Sequence, residues 1–485
     1  MLDLAIIVLY IVGVLAAGLW FSRRQQTTER YFLAGRNLPW WAVSASIVAT
    51  ETSTISFISV PGIVYAHAGN FTFLQLVFGY LVGRVVIVVL FIPAFFESEL
   101  VTVYELLQSG FGRGVRAFAA STFAVMRTVA DSVRILLTAI VIAAVYQSFA
   151  PDASSSTAIL LSILLVSGVM IVFTFLGGIE AVVWVEVVQL AIYVGGAVAA
   201  AAVLAGKIPG GIPAAIDLGA AHGKFRLFDF GLDLTRSYGF WAGLVGGCFL
   251  TMSTHGTDQF MVQRYLATRD RRSAAIGLLS SGLIVLVQFI GFLFIGVLLF
   301  AFYRPDRLPE YATSVAAPFS APDQVFPHFI ANHLPPGLMG IVVAAILAAA
   351  MSSSLNAIAA TVTSDLYRPW VSNRPDKHYL NVSRLLTIGV GLLQAGIAVA
   401  FMNETRSALN VALGVASLLN GPILGLFLLR AAHRRDGRAA LAGMTVGLAT
   451  VTYVWLATPV AWPWYVAIGS LTTLLVGWAL SNRQQ

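Results

Sequence analysis

Long apolar runs, interrupted by short polar or basic stretches, follow one another along the whole chain. A helix needs about 20 mostly apolar residues to cross the hydrocarbon core of a bilayer, and these runs have that length. They fall near residues 3–22, 38–66, 71–96, 117–149, 156–176, 181–205, 239–264, 273–303, 327–365, 382–402, 406–430, 437–457 and 463–481. The pattern predicts an all-α polytopic membrane protein of about thirteen transmembrane helices in a single domain. An odd number of crossings puts the two termini on opposite sides. The first run is full-length and is followed by Arg23-Arg24, so it reads as a retained helix and not as a cleaved leader. No soluble catalytic module is expected after the last span.

One run is unlike the others. Residues 38–66 read LPWWAVSASIVATETSTISFISVPGIVYA, two apolar pieces separated by the polar knot ETSTIS. The knot falls near the membrane midplane, where a carboxylate such as Glu51 is costly unless it faces protein, water or an ion. The hydroxyls of Thr50, Thr52, Ser53, Thr54 and Ser56 compete for backbone groups and weaken a helix there. The expectation is a span that breaks halfway and frees carbonyls for a ligand, as broken helices in transporters do. A kinked helix whose hydroxyls bond its own carbonyls is the other reading.

Composition agrees with the pattern. The chain is 58% hydrophobic and 11% charged, with a mean hydropathy of +0.84. Its 43 glycines suit close helix approach in a membrane. The single cysteine, Cys248, excludes an internal disulfide and a thiolate cluster. The net charge of +7 comes from basic residues sorted by side. With the N-terminus outside, the inner loops hold nineteen Lys and Arg, Arg264 among them, and the outer loops seven. That positive-inside bias orients the chain N-out and C-in and makes nucleic acid an unnecessary partner. The long outer connections, roughly 206–238 and 304–326, read as caps over a vestibule or as passive linkers.

Four stretches carry a resemblance. FTFLGGIEAVVWVEVVQLAIYVGGA follows the fifth span, and its Gly-Gly, Ala-Val, Trp, acid and Gln stand in a fixed order. RYFLAGRNLPWWAVSAS, THGTDQFMVQRYLATRD and ILAAAMSSSLNAIAATVTSDLYRPW accompany it in sequence. Together they resemble the sodium:solute symporter family. The resemblance implies ten helices, about 38–430, in a 5+5 inverted repeat, with an extra helix before them and two after. It also implies Na⁺ as coupling ion, bound by the backbone carbonyls of Ala49 and Thr52 and by two hydroxyls of the ninth span. Aligned from AAAMSS these are Ser352 and Ser353; aligned back from Asp365 the same places hold Ala349 and Ala350, which cannot ligate. Glu186 stands where the family usually has Asp and is a candidate for a second ion site or for an ion pair. Glu51 stands where members with neutral substrates are uncharged, and it is open to a substrate ammonium, an ion site, a proton or a salt bridge to Arg84, Arg127 or Arg134.

Further polar groups lie inside predicted spans. Arg127, Asp131 and Arg134 share one helix face, so that Asp131 can pair with either arginine. The surplus positive charge would suit a substrate carboxylate, which makes Arg134 a candidate contact. His255, Asp258 and Gln259 cluster around Gly256, the position matching the broken span in the resembling fold. With Glu51 and Ser53 they complete the candidate substrate site. No nucleophile–base pair, paired catalytic carboxylates or nucleotide loop is present, so the chain is not read as an enzyme. The expected function is Na⁺-driven import of a small polar solute, amino-acid-like or carboxylate, across the inner (plasma) membrane. The alternatives are proton coupling through Glu51 and a solute sensor without flux. Nothing in the sequence specifies substrate or oligomeric state.

Overall fold

A computed structural model describes residues 2–22, 25–52, 54–97, 100–149, 154–312, 314–351, 354–402, 414 and 418–481. Among these residues the fold is helical throughout, and the only strand-like pairing is an isolated bridge between Leu38 and Thr268. Among the described residues six helices are long and apolar enough to cross a membrane, seven if a bent pair is counted as one span. The first part of the expected span at 406–430 and the residues Ser53, Ser352 and Ser353 lie outside the described residues.

The bent pair is α3 (Trp40–Glu51) with α4 (Thr54–Tyr65), turned by 61° from one to the other. Thr52 ends α3 with φ −83° and ψ 86°, and its N–H still reaches Val48 O at 3.0 Å. Its hydroxyl donates to the same carbonyl at 2.7 Å, the local competition that Thr brings to a helix interior. A second break separates α11 (Gly247–Gly256) from α12 (Gln259–Leu266). Thr257 leaves the helix at φ −131°, and Asp258 restarts it by accepting from Phe260 N at 2.9 Å.

Around these breaks stand α5 (Leu74–Leu90), α8 (Arg113–Phe149), α9 (Ser155–Lys207) and α13 (Arg271–Tyr303). The 53 residues of α9 are two arms that meet at Gly178, where φ is +57° and a Cβ would lie 2.7 Å from Tyr31 O. The first and second arms coincide with the expected spans 156–176 and 181–205. α1 (Leu2–Ser22) runs beside the bend: Gly18 packs on Phe173 and Gly177 at the end of the first arm, and Gln189 of the second arm donates to the Tyr10 hydroxyl at 2.8 Å. α15 (Leu338–Met351) begins where Asp3 accepts from Gly337 N (2.8 Å) and Gly340 N (2.6 Å). Ala349 and Ala350 fall in its last turn. α16 (Leu355–Thr361) follows, then α17 (Asp376–Ala400), α18 (Asn420–Ala431), α19 (Gly437–Ala457) and α20 (Trp464–Leu480). Small residues set the closest approaches, as lipid-embedded packing requires. A Cβ on Gly79 of α5 would lie 2.2 Å from Gly243 O, and one on Gly447 of α19 would lie 2.1 Å from the Thr473 hydroxyl of α20.

Both long connections rest on the far end of α4. Lys224 donates to Ala66 O at 2.6 Å and sits 4.4 Å over the Phe300 ring. From the other connection, Ala317 O accepts from the Tyr65 hydroxyl at 2.6 Å and Val315 O from His67 N at 2.9 Å. Pro322 closes against Gly62, where a Cβ would lie 2.3 Å from its carbonyl.

Candidate functional site

The two breaks face each other through buried ion pairs. At the end of α3 the Glu51 carboxylate pairs with the Arg84 guanidinium of α5. His255 Nε2 lies 3.5 Å from both Glu51 and Arg84, and its Nδ1 is 2.9 Å from the Thr254 hydroxyl. Arg84 also donates to Ser281 Oγ of α13 at 3.3 Å. Thr52 meets Gln288 of α13 at 3.0 Å, a contact that ties the break to a fourth helix. Ala49 and Thr52 are both buried at this break.

The second break carries its own pair. Arg127 of α8 donates to Asp258 at 2.6 Å, so the Asp that restarts α12 also neutralises an arginine. Asp131 makes no direct ion pair with either arginine of its helix among the described residues, though its charge acts on both. It accepts instead from Ser354 N at 3.2 Å and from the Ser354 hydroxyl, where α16 starts and backbone N–H groups are unpaired within the helix. Its other oxygen, Oδ1, is buried with no hydrogen-bond partner among the described residues. Arg134, half-buried, lies one turn from Asp131 and within electrostatic reach of it first, then of Arg127, Arg264 and Asp258. Gln259 stands apart: its amide accepts from Val103 N (2.8 Å) and donates to Val101 O (3.1 Å), which fixes the flank of the break.

Glu186, on the second arm of α9, is paired with Arg264 of α12 at 2.6 Å. Ser46 and Thr50 of α3 donate to the same carboxylate, Thr50 at 3.0 Å, and Arg264 Nε reaches Ser46 Oγ at 3.0 Å. Arg264, counted with the inner loops from sequence, is in fact interior; a buried carboxylate needs a partner, and this arginine supplies it. The Phe260 ring lies between the two arginines, 4.6 Å from Arg127 and 4.5 Å from Arg264, and links the pairs by cation–π contact. Among the described residues no three His, Cys, Asp or Glu side chains gather as a metal cluster. A hard monovalent cation takes carbonyl and hydroxyl oxygens and needs no such cluster.

Sequence reasoning passed over several contributors. Gln288 and Ser46 gave no signal because a lone polar residue in an apolar helix has no partner until helices are packed, and Ser354 ended a serine run whose partner the sequence did not name. A further network joins Asp365 to Arg116 at 2.6 Å, with Thr102 donating at 2.7 Å and Gln108 and Glu105 holding the guanidinium. Asp365 had served only to align the ninth span.

Broken helices, interior ion pairs and apolar spans define a membrane carrier. The sodium:solute symporter family pattern matches residues 31–447, and the chain belongs to that family. It is a Na⁺-coupled symporter of small polar solutes, not an enzyme. The sodium/sialic acid symporter NanT of Aliivibrio fischeri is 31% identical over 483 residues, covering 97% of this chain and 90% of that protein. The human sodium-coupled monocarboxylate transporter 1 is 28% identical, covering 89% of this chain and 68% of that protein. The solved structure of a Na⁺-coupled sialic acid symporter in a substrate-bound, outward-open state superposes with a TM-score of 0.87 at 27% identity, covering 99% of this chain and 98% of that one.

Proposed function

We propose that this symporter imports a small carboxylate-bearing solute, of the sialic-acid kind, together with Na⁺. The observation that carries this is the Glu51–Arg84 pair. With Glu51 already matched to a guanidinium, an amine-bearing substrate loses its counter-charge, and the arginines of α8 set the preference. Around the breaks four buried or half-buried arginines, Arg84, Arg127, Arg134 and Arg264, face four acids, Glu51, Asp131, Glu186 and Asp258. A cation and an anion loaded together leave that balance unchanged, which suits symport of Na⁺ with a carboxylate. Relatives named for sialic acid and for monocarboxylates support the same class.

In this reading Arg134 receives the carboxylate in a bidentate contact. Glu51, Ser53, His255 and Asp258 line the remaining contacts, with Gln259 holding the break. Na⁺ sits on the carbonyls of Ala49 and Thr52 and the hydroxyls of Ser352 and Ser353, with Glu186 setting the field nearby. Binding of the ion joins α3 to the ninth span and favours the outward-open, substrate-ready state. The chain forms one domain in the inner (plasma) membrane with thirteen spans, N-terminus outside and C-terminus inside. An extra helix (about 3–22) precedes the ten-helix inverted-repeat core (about 38–430), and two helices (about 437–481) follow it.

Uptake of sialic acid into proteoliposomes under a Na⁺ gradient tests the reading. Replacement of Na⁺ by choline abolishes uptake, Ser353→Ala weakens Na⁺ activation, and Arg134→Gln raises KM for the carboxylate. Unchanged uptake in choline would move coupling to protons at the Glu51–His255 cluster, a second reading that the 3.5 Å contact favours, seen as uptake-linked alkalinisation.

A further inference from the structure

A groove of about 690 Å³ runs along the outside of the molecule between α1 and the second arm of α9, closed at one end by α15. Its wall is apolar: Leu9, Val14 and Ala17 on one side, Val188 and Ile192 on the other. Its floor includes Gly13, where a Cβ would meet nothing within 4 Å. At Phe21 and Trp184 the groove runs into a second cavity of about 550 Å³, and both residues line both spaces. The second cavity differs in chemistry, with Arg30, Arg36 and Asn37 in its wall beside Trp20.

The chain is folded back to bring these cations together. Ala34, Gly35 and Arg36 have φ of 52°, 63° and 54°, a run of left-handed residues that is uncommon outside glycine. Arg36 is anchored through Nη2 to Leu100 O at 2.7 Å, and Glu29 lies 3.7 Å from its Nε, which leaves Nη1 available. Arg30 is exposed and has no carboxylate partner among the described residues. Glu180, in the same wall, accepts from the Gln25 amide at 3.2 Å.

A long apolar trough that ends in arginines and a tryptophan at the end of a spanning helix has the polarity of a phospholipid. Basic pockets beside membrane helices hold anionic headgroups, and tryptophan favours the headgroup level. We propose that the groove holds an acyl chain of an anionic phospholipid whose phosphate rests on Arg30, Arg36 and Asn37. A free phosphate would use the cavity and leave the trough unexplained. The bound lipid also reaches the transport machinery. Trp184 packs edge-on against Trp41 of α3 with ring centres 5.4 Å apart and lies two residues before Glu186, which holds Ser46 and Thr50 of that helix. Occupancy of the groove therefore steadies the broken span and speeds uptake.

The full chain, reconstituted in phosphatidylcholine alone or mixed with phosphatidylglycerol, tests this by native mass spectrometry and by uptake. The wild type retains phosphatidylglycerol over phosphatidylcholine by roughly thirtyfold, a preference of the size two near-surface arginines give. Arg30→Gln lowers that preference several-fold, and Arg30→Gln with Arg36→Gln removes it. Gly13→Leu, which fills open space in the trough, reduces retention of the lipid while leaving the arginines in place. Uptake by the wild type rises with phosphatidylglycerol, and uptake by the variants does not. Equal retention of both lipids by the wild type, or a preference untouched by Gly13→Leu, would overturn the proposal. So would inorganic phosphate raising thermal stability as much as phosphatidylglycerol does, or a lipid-free dimer in the mass spectrum.

Discussion

Two ion pairs grip α3, and they are built differently. Glu186 and Arg264 are each 1% exposed, and the carboxylate is further held by Ser46 and Thr50. Glu51 is 13% exposed against 1% for its partner Arg84, and His255 stands beside it as a second, looser neighbour. The first arrangement is closed on every side, so that any loss of a partner strands a charge in a dry interior. The second has an open face at the break in the span. The same chemistry thus serves as a lock at one point of the helix and as a latch at another.

The largest effect is expected at the lock. Glu186→Gln or Arg264→Gln leaves one buried charge unpaired and costs about 3–5 kcal/mol, read as a steep fall in melting temperature in detergent. Glu186→Gln with Arg264→Met restores much of that loss, because the cost lies in the stranded charge. Should either single variant melt like the wild type, the closed pair would not be the lock described.

At the latch the order of effects reverses. Glu51→Gln lowers uptake more than tenfold while the melting temperature falls less than in Glu186→Gln. Parallel losses of stability and transport in both variants would erase the distinction. Smaller again is the difference between two variants at the second break. Asp258→Asn keeps an acceptor for Phe260 N and costs less than Asp258→Ala by about 1 kcal/mol, the worth of a helix cap. If the two melt together, the cap contributes nothing and the Arg127 pair alone matters.

A last effect, read against pH, concerns the connection that caps α4. Burial pushes the Lys224 ammonium down to about 8 from its ordinary value of 10.5. The unfolded chain therefore binds more protons than the folded one between about pH 8 and 10.5, and stability rises with pH across that window. It is fully present above 10.5 and lost as pH falls through 8. The melting temperature of the wild type minus that of Lys224→Met should climb through that window, and a flat difference would mean the ammonium is solvated.

The apolar runs were legible because the bilayer demands length and composition, properties that a sequence carries residue by residue. The break at Thr52 was legible for a similar reason: hydroxyls crowded beside a carboxylate weaken a helix wherever it is placed. Partner choice was not legible. Asp131 shares a helix face with Arg127 and Arg134, yet it caps α16, because Ser354 arrives from more than 200 positions away with its N–H unpaired. Arg264 stood at the edge of a predicted span and was counted with a loop, and only the approach of α9 to α12 moved it inside. Gln288 and Ser46, single polar residues in apolar helices, had no signal at all.

By itself, then, the sequence determined a bundle of membrane helices, a weak point halfway along the second span, and membership in a family of sodium-driven carriers. These follow from composition, local hydrogen-bond competition and ordered motifs, all of them short-range properties. Tertiary structure decided which acid answers which arginine and which pair stays partly exposed at the break. Burial makes each charge seek the nearest counter-charge in space, and distance along the chain has no part in that choice.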